Sequence, residues 1–160
     1  MPLKLVQNRK GVEILEFALV LPMFLLLIFA VVDFGLCFFA QHTLQYATRE
    51  GVRLALVGRI LNDASGNPMT REASIVKAIR DNAAVAVNPN AVQISIYPVS
   101  ADFIDPTNWK NTQDAGAPGG YMRVRTSYTY HFMTPFVGSF VRGGNLLLQS
   151  EATYRNELFN

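Results

Sequence analysis

The sequence predicts an α+β protein in which one long N-terminal membrane-spanning helix leads into a small domain with a second helix and an antiparallel sheet of three or more strands. Three observations predict this class. Residues 17–40 are apolar apart from a single acid, residues 70–87 show a helical period, and three later segments alternate apolar and polar side chains. At 160 residues, the chain has room for one modest domain beside the membrane helix.

The apolar segment is long enough to cross a bilayer. As a helix, residues 17–40 would extend about 36 Å at roughly 1.5 Å per residue, against a hydrocarbon core of about 30 Å. Three basic residues, with no acid among them, precede Gly11: they are Lys4, Arg9 and Lys10. Because basic flanks favour the cytoplasmic side, we expect the N-terminus inside and residues 41–160 outside.

Three residues stand out within or beside this segment. Pro22 removes one backbone hydrogen bond, so we expect a kink there. Asp33 lies in the outer part, where it either reaches the interface and is hydrated or contacts a partner helix. Glu16 lies near the inner end, where a charge in a membrane helix costs about 2.5 to 3.5 kcal/mol on insertion scales. Hydration at the cytoplasmic interface and pairing with a partner are the alternatives for Glu16.

Charge and composition exclude several classes of function. From Val12 onward the chain has eleven basic and twelve acidic residues, so no concentrated basic face is available for nucleic acid. Cys37 is the only cysteine, which rules out an intrachain disulfide, and we interpret it as a small buried hydrophobe. His42 and His131 are isolated, and no nucleophile motif or phosphate loop occurs. We therefore predict no enzymatic activity, no metal site and no cofactor.

Two helices are expected in the outer domain. The first helix continues past the membrane because small and apolar residues recur at spacings of three and four: they are Leu44, Ala47, Gly51, Leu54 and Ala55. Gly58 and the turn formers in residues 62–68 end it. Thr70 can cap a second helix that runs to about Val87, with an apolar side facing the core.

The rest of the outer domain is predicted to form strands. Residues 92–97, 121–134 and 145–154 alternate, and Pro135 ends the second of these strands. Three strands with one polar face suit an antiparallel sheet packed on the N-terminal helix. The intervening residues 100–120 have no period and form a long loop. Its aromatic side chains, Phe103 and Trp109, either form a partner-binding surface or fold back to cover the sheet.

The N-terminal pattern resembles that of type IV prepilins: a short basic leader, Gly11, a glutamate five residues later, an aromatic at Phe17 and a long apolar helix. More narrowly, the chain is similar to the TadE-like pseudopilins of tight adherence (Flp) pilus systems, the type IVc branch. Their common run EFALVLP occurs here at residues 16–22. Further segments fit that family: residues 33–35, 47–53 and, more loosely, 130–135 and 155–157. The similarity is strong over residues 8–55 and weak over residues 60–125.

The resemblance implies a three-part organisation and a function in pilus assembly. Residues 1–11 would be the prepilin leader, residues 12–40 the transmembrane and assembly helix, and residues 41–160 an extracytoplasmic pilin-like domain. The chain would be a minor pilin or pseudopilin of the bacterial inner membrane that helps to assemble or initiate the pilus and supports adhesion. The implied partners are a prepilin peptidase, other pilins or pseudopilins and the inner-membrane assembly platform.

The resemblance also implies roles for four residues. The peptidase would cut between Gly11 and Val12, and Glu16 and Phe17 would serve subunit assembly. A glycine suits the cleavage site physically because it has no side chain and only weak helix preference. Val12 and Glu16 are spaced i, i+4, so the amine created by cleavage can reach the carboxylate in its own chain. Across chains, the resemblance implies that the same pair sets the axial register between subunits.

One alternative remains open at this point. The chain could instead be an uncleaved, single-pass membrane protein whose outer domain binds a partner. The two hypotheses differ in the first residue of the mature chain, which is Val12 only if the leader is removed.

Overall fold

The computed structural model describes residues 9–158, and within them the α+β class is confirmed. The helices and strands, in chain order, are α1 (Arg9–Leu56), α2 (Arg71–Ala83), β1 (Gln93–Pro98), β2 (Tyr121–His131), α3 (Pro135–Ser139) and β3 (Asn145–Arg155). The three strands form one antiparallel sheet in the order β1-β2-β3. Lys4, one of the basic leader residues, lies outside the described range.

Helix α1 contains 48 residues, which corresponds to about 72 Å at roughly 1.5 Å per residue. Pro22 lies inside it, and the helix continues on both sides of the proline. The part from Gly11 to Leu56 is long enough, and contains a stretch apolar enough, to span a membrane. The stretch of 18 residues with mean hydropathy 2.7 has none of its residues buried. Gly58, with a φ of 64°, follows the end of the helix, so the predicted continuation of the helix beyond residue 40 and its end are confirmed.

The two parts of α1 differ in what surrounds them. In residues 11–32, the inner half, every side chain is exposed or half-buried. In residues 33–56, the outer half, one side of the helix is buried against the domain. The buried side includes mostly small residues: Cys37, Ala40, Leu44, Ala47, Thr48, Gly51 and Ala55. The hydrophobic core therefore lies between the outer half, α2 and one face of the sheet.

Helix α2 packs closely on the outer half. A Cβ atom at Gly51 would collide with the side chain of Ile79, so only glycine fits at this crossing without movement. The Thr70 hydroxyl caps α2 by accepting a hydrogen bond of 3.2 Å from the amide of Ala73, as predicted. The helix ends at Ala83, earlier than expected, and the carbonyl of Ala83 accepts hydrogen bonds from the amides of Ala86 and Val87 in the turn that follows.

Strand β2 is the central strand and runs alongside α1 in the opposite direction. Its alternate side chains Met122, Val124 and Thr126 are fully buried against the helix, as the alternation predicted. The Thr126 hydroxyl lies 2.8 Å from that of Thr48, which ties the middle of the strand to the middle of the outer half. The strand ends at His131, three residues earlier than expected. Pro135, expected only to end the strand, begins α3.

Candidate functional site

The predicted cleavage site lies at the start of α1. Gly11 and Val12 are the third and fourth residues of the helix, and Val12 is 56% exposed. Because glycine has no side chain and only weak helix preference, Gly11 weakens the helix at the bond that a peptidase would have to hold in extended form.

The predicted assembly residues lie one turn further along α1. Glu16 is exposed, and Phe17 is 63% exposed. Glu16 forms no ion pair with a side chain that the structure describes. Val12 precedes it by one helical turn on the same side of α1, so the i, i+4 spacing expected from the sequence is realised as helical geometry. A carboxylate in an apolar surface without a described partner remains available to a group from outside the chain.

Asp33 has a role that neither sequence alternative anticipated. It is only 2% exposed, so it is not hydrated at an interface, and its carboxylate is occupied within the chain rather than by a partner helix. One carboxylate oxygen accepts a hydrogen bond of 3.2 Å from the amide of Met133, and the other accepts one of 2.9 Å from the amide of Thr134. The charge is therefore stabilised by two backbone donors in the turn between β2 and α3.

Aromatic side chains surround this contact. The Tyr130 hydroxyl donates a hydrogen bond of 3.4 Å to the backbone carbonyl of Asp33. The rings of Phe34 and Phe132 meet edge to face with centroids 5.5 Å apart, and Phe132 makes a similar contact with Tyr130 at 5.4 Å. The end of β2 lies beside this cluster: the amide of Phe132 still donates to the carbonyl of Gly144 just before β3, whereas the next two amides donate to α1.

The long loop folds back over the outer face of the sheet, as one of the two sequence alternatives proposed. Trp109 packs against the Tyr97 ring with centroids 5.7 Å apart, and the Arg125 guanidinium lies 4.3 Å from the Trp109 ring centroid. Phe103 contacts the Tyr121 ring at 5.4 Å but remains 46% exposed. Covering the sheet therefore accounts for Trp109, whereas Phe103 still presents part of its ring to the outside.

An acid–base cluster lies under this loop. Asp105 binds Arg123 at 2.5 Å and Arg125 at 2.9 Å, and it accepts a hydrogen bond of 2.8 Å from the Tyr97 hydroxyl. Burial and the neighbouring carboxylate raise the pKa of Tyr97 to about 12. For Asp105, burial alone would raise the pKa, but the Tyr97 hydrogen bond and the two guanidinium groups outweigh it and hold the pKa below its usual range. The charged side chains of this cluster are paired with one another or with other side chains of the domain.

A second polar junction, which the sequence did not reveal, joins the far end of α1 to the C-terminal segment. Arg71 donates to the carbonyls of Ala55 and Gly116 and to the side chain of Asn156, each at 2.9 to 3.0 Å. Asn156, 3% exposed, in turn donates to the backbone of the long loop at Ala115 and nearby. The only signal in the sequence was the looser fit of residues 155–157 to the family pattern.

Within residues 9–158, no group of three or more histidine, cysteine, aspartate or glutamate side chains is arranged to hold a metal ion. The buried polar groups described above join one part of the fold to another. The apolar surface of the inner half, with Glu16 within it, has no partner among the described residues.

Comparison with known proteins agrees with this emphasis on α1. The family model described as TadE-like protein matches residues 11–53, which is α1 from Gly11 almost to its end. No curated protein and no solved structure matches the chain. The match confirms the similarity to TadE-like proteins for this segment and associates it with the Tad pilus. The long apolar helix near the N-terminus also fits a single-pass membrane anchor.

Proposed function

We propose that this chain, whose α1 is TadE-like, is a minor pilin or pseudopilin of a Tad (Flp) pilus. It is inserted in the inner membrane with its N-terminus in the cytoplasm, and a prepilin peptidase removes residues 1–11. The assembly platform then moves it out of the bilayer, and the inner half of α1 packs among the helices of other pilins. The outer domain stays on the extracytoplasmic side throughout.

The observation that carries this proposal is the unpartnered inner half. Its large apolar side chains are highly exposed, with Val20 at 62%, Met23 at 75% and Leu27 at 62%. Such a surface requires lipid or other apolar helices around it. Glu16 adds to this surface a carboxylate that lipid does not satisfy but a cationic group on a neighbouring helix does. A subunit whose helix is first surrounded by lipid and then by the helices of other subunits obtains both the apolar surroundings and a cationic partner for Glu16.

Cleavage would also improve the electrostatics at the start of α1. The first turn contains Arg9 and Lys10 in sequence and no acid, and positive charge there opposes the helix dipole. If Val12 becomes the first residue, Glu13 enters the first turn and Glu16 follows directly after it. The new amine is unfavourable beside the dipole, so an acid at i+4 compensates for it. The same amine can pair with Glu16 of an adjacent subunit.

The first experiment is mass spectrometry of the N-terminus of the chain isolated from cells that make the pilus. We expect a mature chain that begins at Val12. The Gly11→Arg variant should accumulate as an uncut precursor, because the bulky charged side chain obstructs the peptidase. Asn8→Arg is the matched control, since it adds the same charge without replacing the glycine, and it should still be cut. A mature wild-type chain that begins at Met1 or Pro2 would instead support the uncleaved membrane protein.

The second experiment separates assembly from cleavage. Glu16→Val should be cut normally but should be lost from sheared pilus fractions, because its helix no longer offers a carboxylate to a partner amine. Glu13→Val removes the neighbouring acid without touching the i, i+4 pair, so it should retain incorporation. If Glu16→Val enters the pilus as efficiently as the wild type, the pairing role of Glu16 is wrong.

A further inference from the structure

A second exposed apolar surface lies at the end of the domain nearest the inner half. Met133 is 75% exposed, Phe136 is 48% exposed and Phe140 is 76% exposed. The rings of Phe136 and Phe140 meet edge to face with centroids 5.0 Å apart. Residues 132–141 contain no charged side chain. We call Met133, Phe136 and Phe140 the α3 patch; an uncharged, aromatic surface of this kind marks an interaction site.

The Asp33 contact fixes the position of the α3 patch along α1. Because the Asp33 carboxylate accepts from the amides of Met133 and Thr134, the start of α3 lies level with residue 33 of the helix. From Val12 to Asp33 the helix rises about 32 Å, close to the roughly 30 Å thickness of a hydrocarbon core. If α1 enters the hydrocarbon near Val12, the α3 patch therefore lies at its outer boundary.

The patch is also continuous with the lipid-facing surface of α1. Phe34, 43% exposed, joins the two through its ring contact with Phe132. Phe38, 64% exposed, lies one helical turn further along the same side of the helix. Aromatic side chains concentrate at the boundary between hydrocarbon and headgroups, where a largely apolar ring is favoured. Phe34 thus connects the exposed apolar side chains of α1 to the residue just before the α3 patch.

We propose that the α3 patch inserts into the outer interfacial zone of the bilayer, so that the domain contacts lipid at a second point beside α1. The occupant is lipid because α1 already requires a bilayer at this height, and the patch continues the surface that the bilayer covers. Two contacts restrict the tilt of the domain relative to the membrane plane, which α1 alone would leave free. The inference needs the membrane span of α1, but it does not depend on cleavage or pilus assembly.

The test uses tryptophan fluorescence of the full chain in phospholipid nanodiscs that hold one chain each. Trp109 is replaced by phenylalanine, and a new tryptophan is introduced as Phe136→Trp or, separately, Phe140→Trp. Lipids with a spin label near the headgroup serve as quenchers. For a side chain within about 5 to 10 Å of the headgroup boundary, we expect quenching at least about threefold stronger than at a distant exposed site.

Leu158→Trp in the same background is the matched control. Leu158 is 88% exposed, and the amide of the preceding residue donates to the carbonyl of Leu56, so it lies at the far end of α1. That position is about 35 Å from Asp33 by helical rise. Phe24→Trp is the control for insertion, because Phe24 lies in the middle of the inner half and should be quenched by lipids labelled deep in the acyl chain.

The possible results separate the occupants. Strong headgroup quenching at Phe136→Trp and Phe140→Trp in single-chain discs supports the proposal. Quenching no stronger than at Leu158→Trp, with deep quenching retained at Phe24→Trp, overturns it. A change in fluorescence at the patch that appears only when discs hold two chains also overturns it, because the occupant is then a second copy. Loss of deep quenching at Phe24→Trp overturns the membrane span itself. Pilus incorporation is measured separately, so a failure of the proposed function would not be mistaken for any of these results.

Discussion

The inner and outer halves of α1 form one continuous helix, but their surfaces are built differently. In the inner half, large side chains such as Met23 are widely exposed, whereas in the outer half Leu44 and Ala47 are fully buried. The inner half is apolar on all sides beyond Glu16, whereas the outer half is apolar on its buried side and carries polar and charged residues such as Arg49 and Arg53 on the exposed side. On the buried side, the small residues of the outer half let α2 and the sheet approach the helix closely.

Two of the acids in α1, Asp33 and Glu16, repeat this contrast. Asp33 is buried, and its carboxylate is satisfied by two amides about a hundred residues later in the chain. Glu16 is exposed and has no described ion-pair partner. One acid therefore holds the chain's own fold together, and the other is left for a contact outside it. The predictions below test this division, from the largest expected effect to the smallest.

Asp33→Ala should destabilise the domain by about 3 kcal/mol, because it leaves two amides without an acceptor in a buried position. The measurement is chemical unfolding of the full chain in detergent micelles, together with hydrogen exchange of the amides of Met133 and Thr134. Both amides should exchange much faster than in the wild type, while the β2 amides should change less.

Glu16→Ala is the control for this comparison. Because Glu16 supports no contact in the described chain, its replacement should change the free energy of unfolding by less than about 0.5 kcal/mol. Equal losses in the free energy of unfolding for the Glu16 and Asp33 variants would contradict the proposed difference between the two halves of α1.

Two glycines of α1 give the next test. Gly51→Val should cost about 2 kcal/mol, because its Cβ would collide with Ile79 where α2 crosses the helix. Gly35→Val is the matched control: no atom lies within 4 Å of a Cβ at Gly35, so the domain should unfold at the same denaturant concentration as the wild type. A similar loss in both variants would mean that helix preference, and not the close approach of α2, governs the effect.

The smallest effect is expected on the outer face of the sheet, away from α1. Asp105→Asn should cost about 1 kcal/mol at neutral pH, since it weakens the partly exposed pairs with Arg123 and Arg125. The pKa of Asp105 is held below its ordinary value of 3.8, so its contribution is fully present above that pH and is lost as the pH falls through the lowered value.

This sign gives a direct measurement. The wild type should lose stability on acidification below about pH 4, and Asp105→Asn should lose less over the same range. Asp81→Asn removes an exposed acid that pairs with Lys77 on α2 and should leave the acid dependence unchanged. A cost larger than that of Gly51→Val would mean that the loop cluster, rather than packing on α1, dominates the stability of the domain.

Local patterns in the sequence were sufficient to predict most of the fold. The apolar run predicted α1, the Thr70 cap predicted the start of α2, and alternation predicted three strands and the buried face of β2. These features depend on neighbouring residues and on periods of 3.6 or 2, which can be read along the chain. The boundaries of α2 and β2 were placed a few residues too late, because the turns that end them depend on contacts with other segments.

The polar contacts of the domain could not be predicted in the same way. The partners of Asp33 are backbone amides, which every residue carries, so nothing in the sequence around Met133 marks it as a donor. The junction between Arg71 and Asn156 likewise joins residues 85 positions apart. In the N-terminal segment, by contrast, Gly11 and Glu16 were recognisable because their pattern is local. Their proposed roles depend on contacts with other proteins, which the fold of a single chain does not contain, so the experiments above test them.

The antiparallel course of α1 and β2 has a mechanical consequence. A force that pulls the inner half along its axis reaches the domain first at Asp33, which is bonded to the turn after β2. It then reaches Gln41, which donates to a backbone carbonyl of β3, and Thr48, which is bonded to β2. The load therefore passes into β2 and β3, which are joined by eleven residue pairs. Force directed along a strand shears its hydrogen bonds together instead of opening them one at a time. The outer domain is thereby suited to remain folded while α1 is drawn out of a membrane.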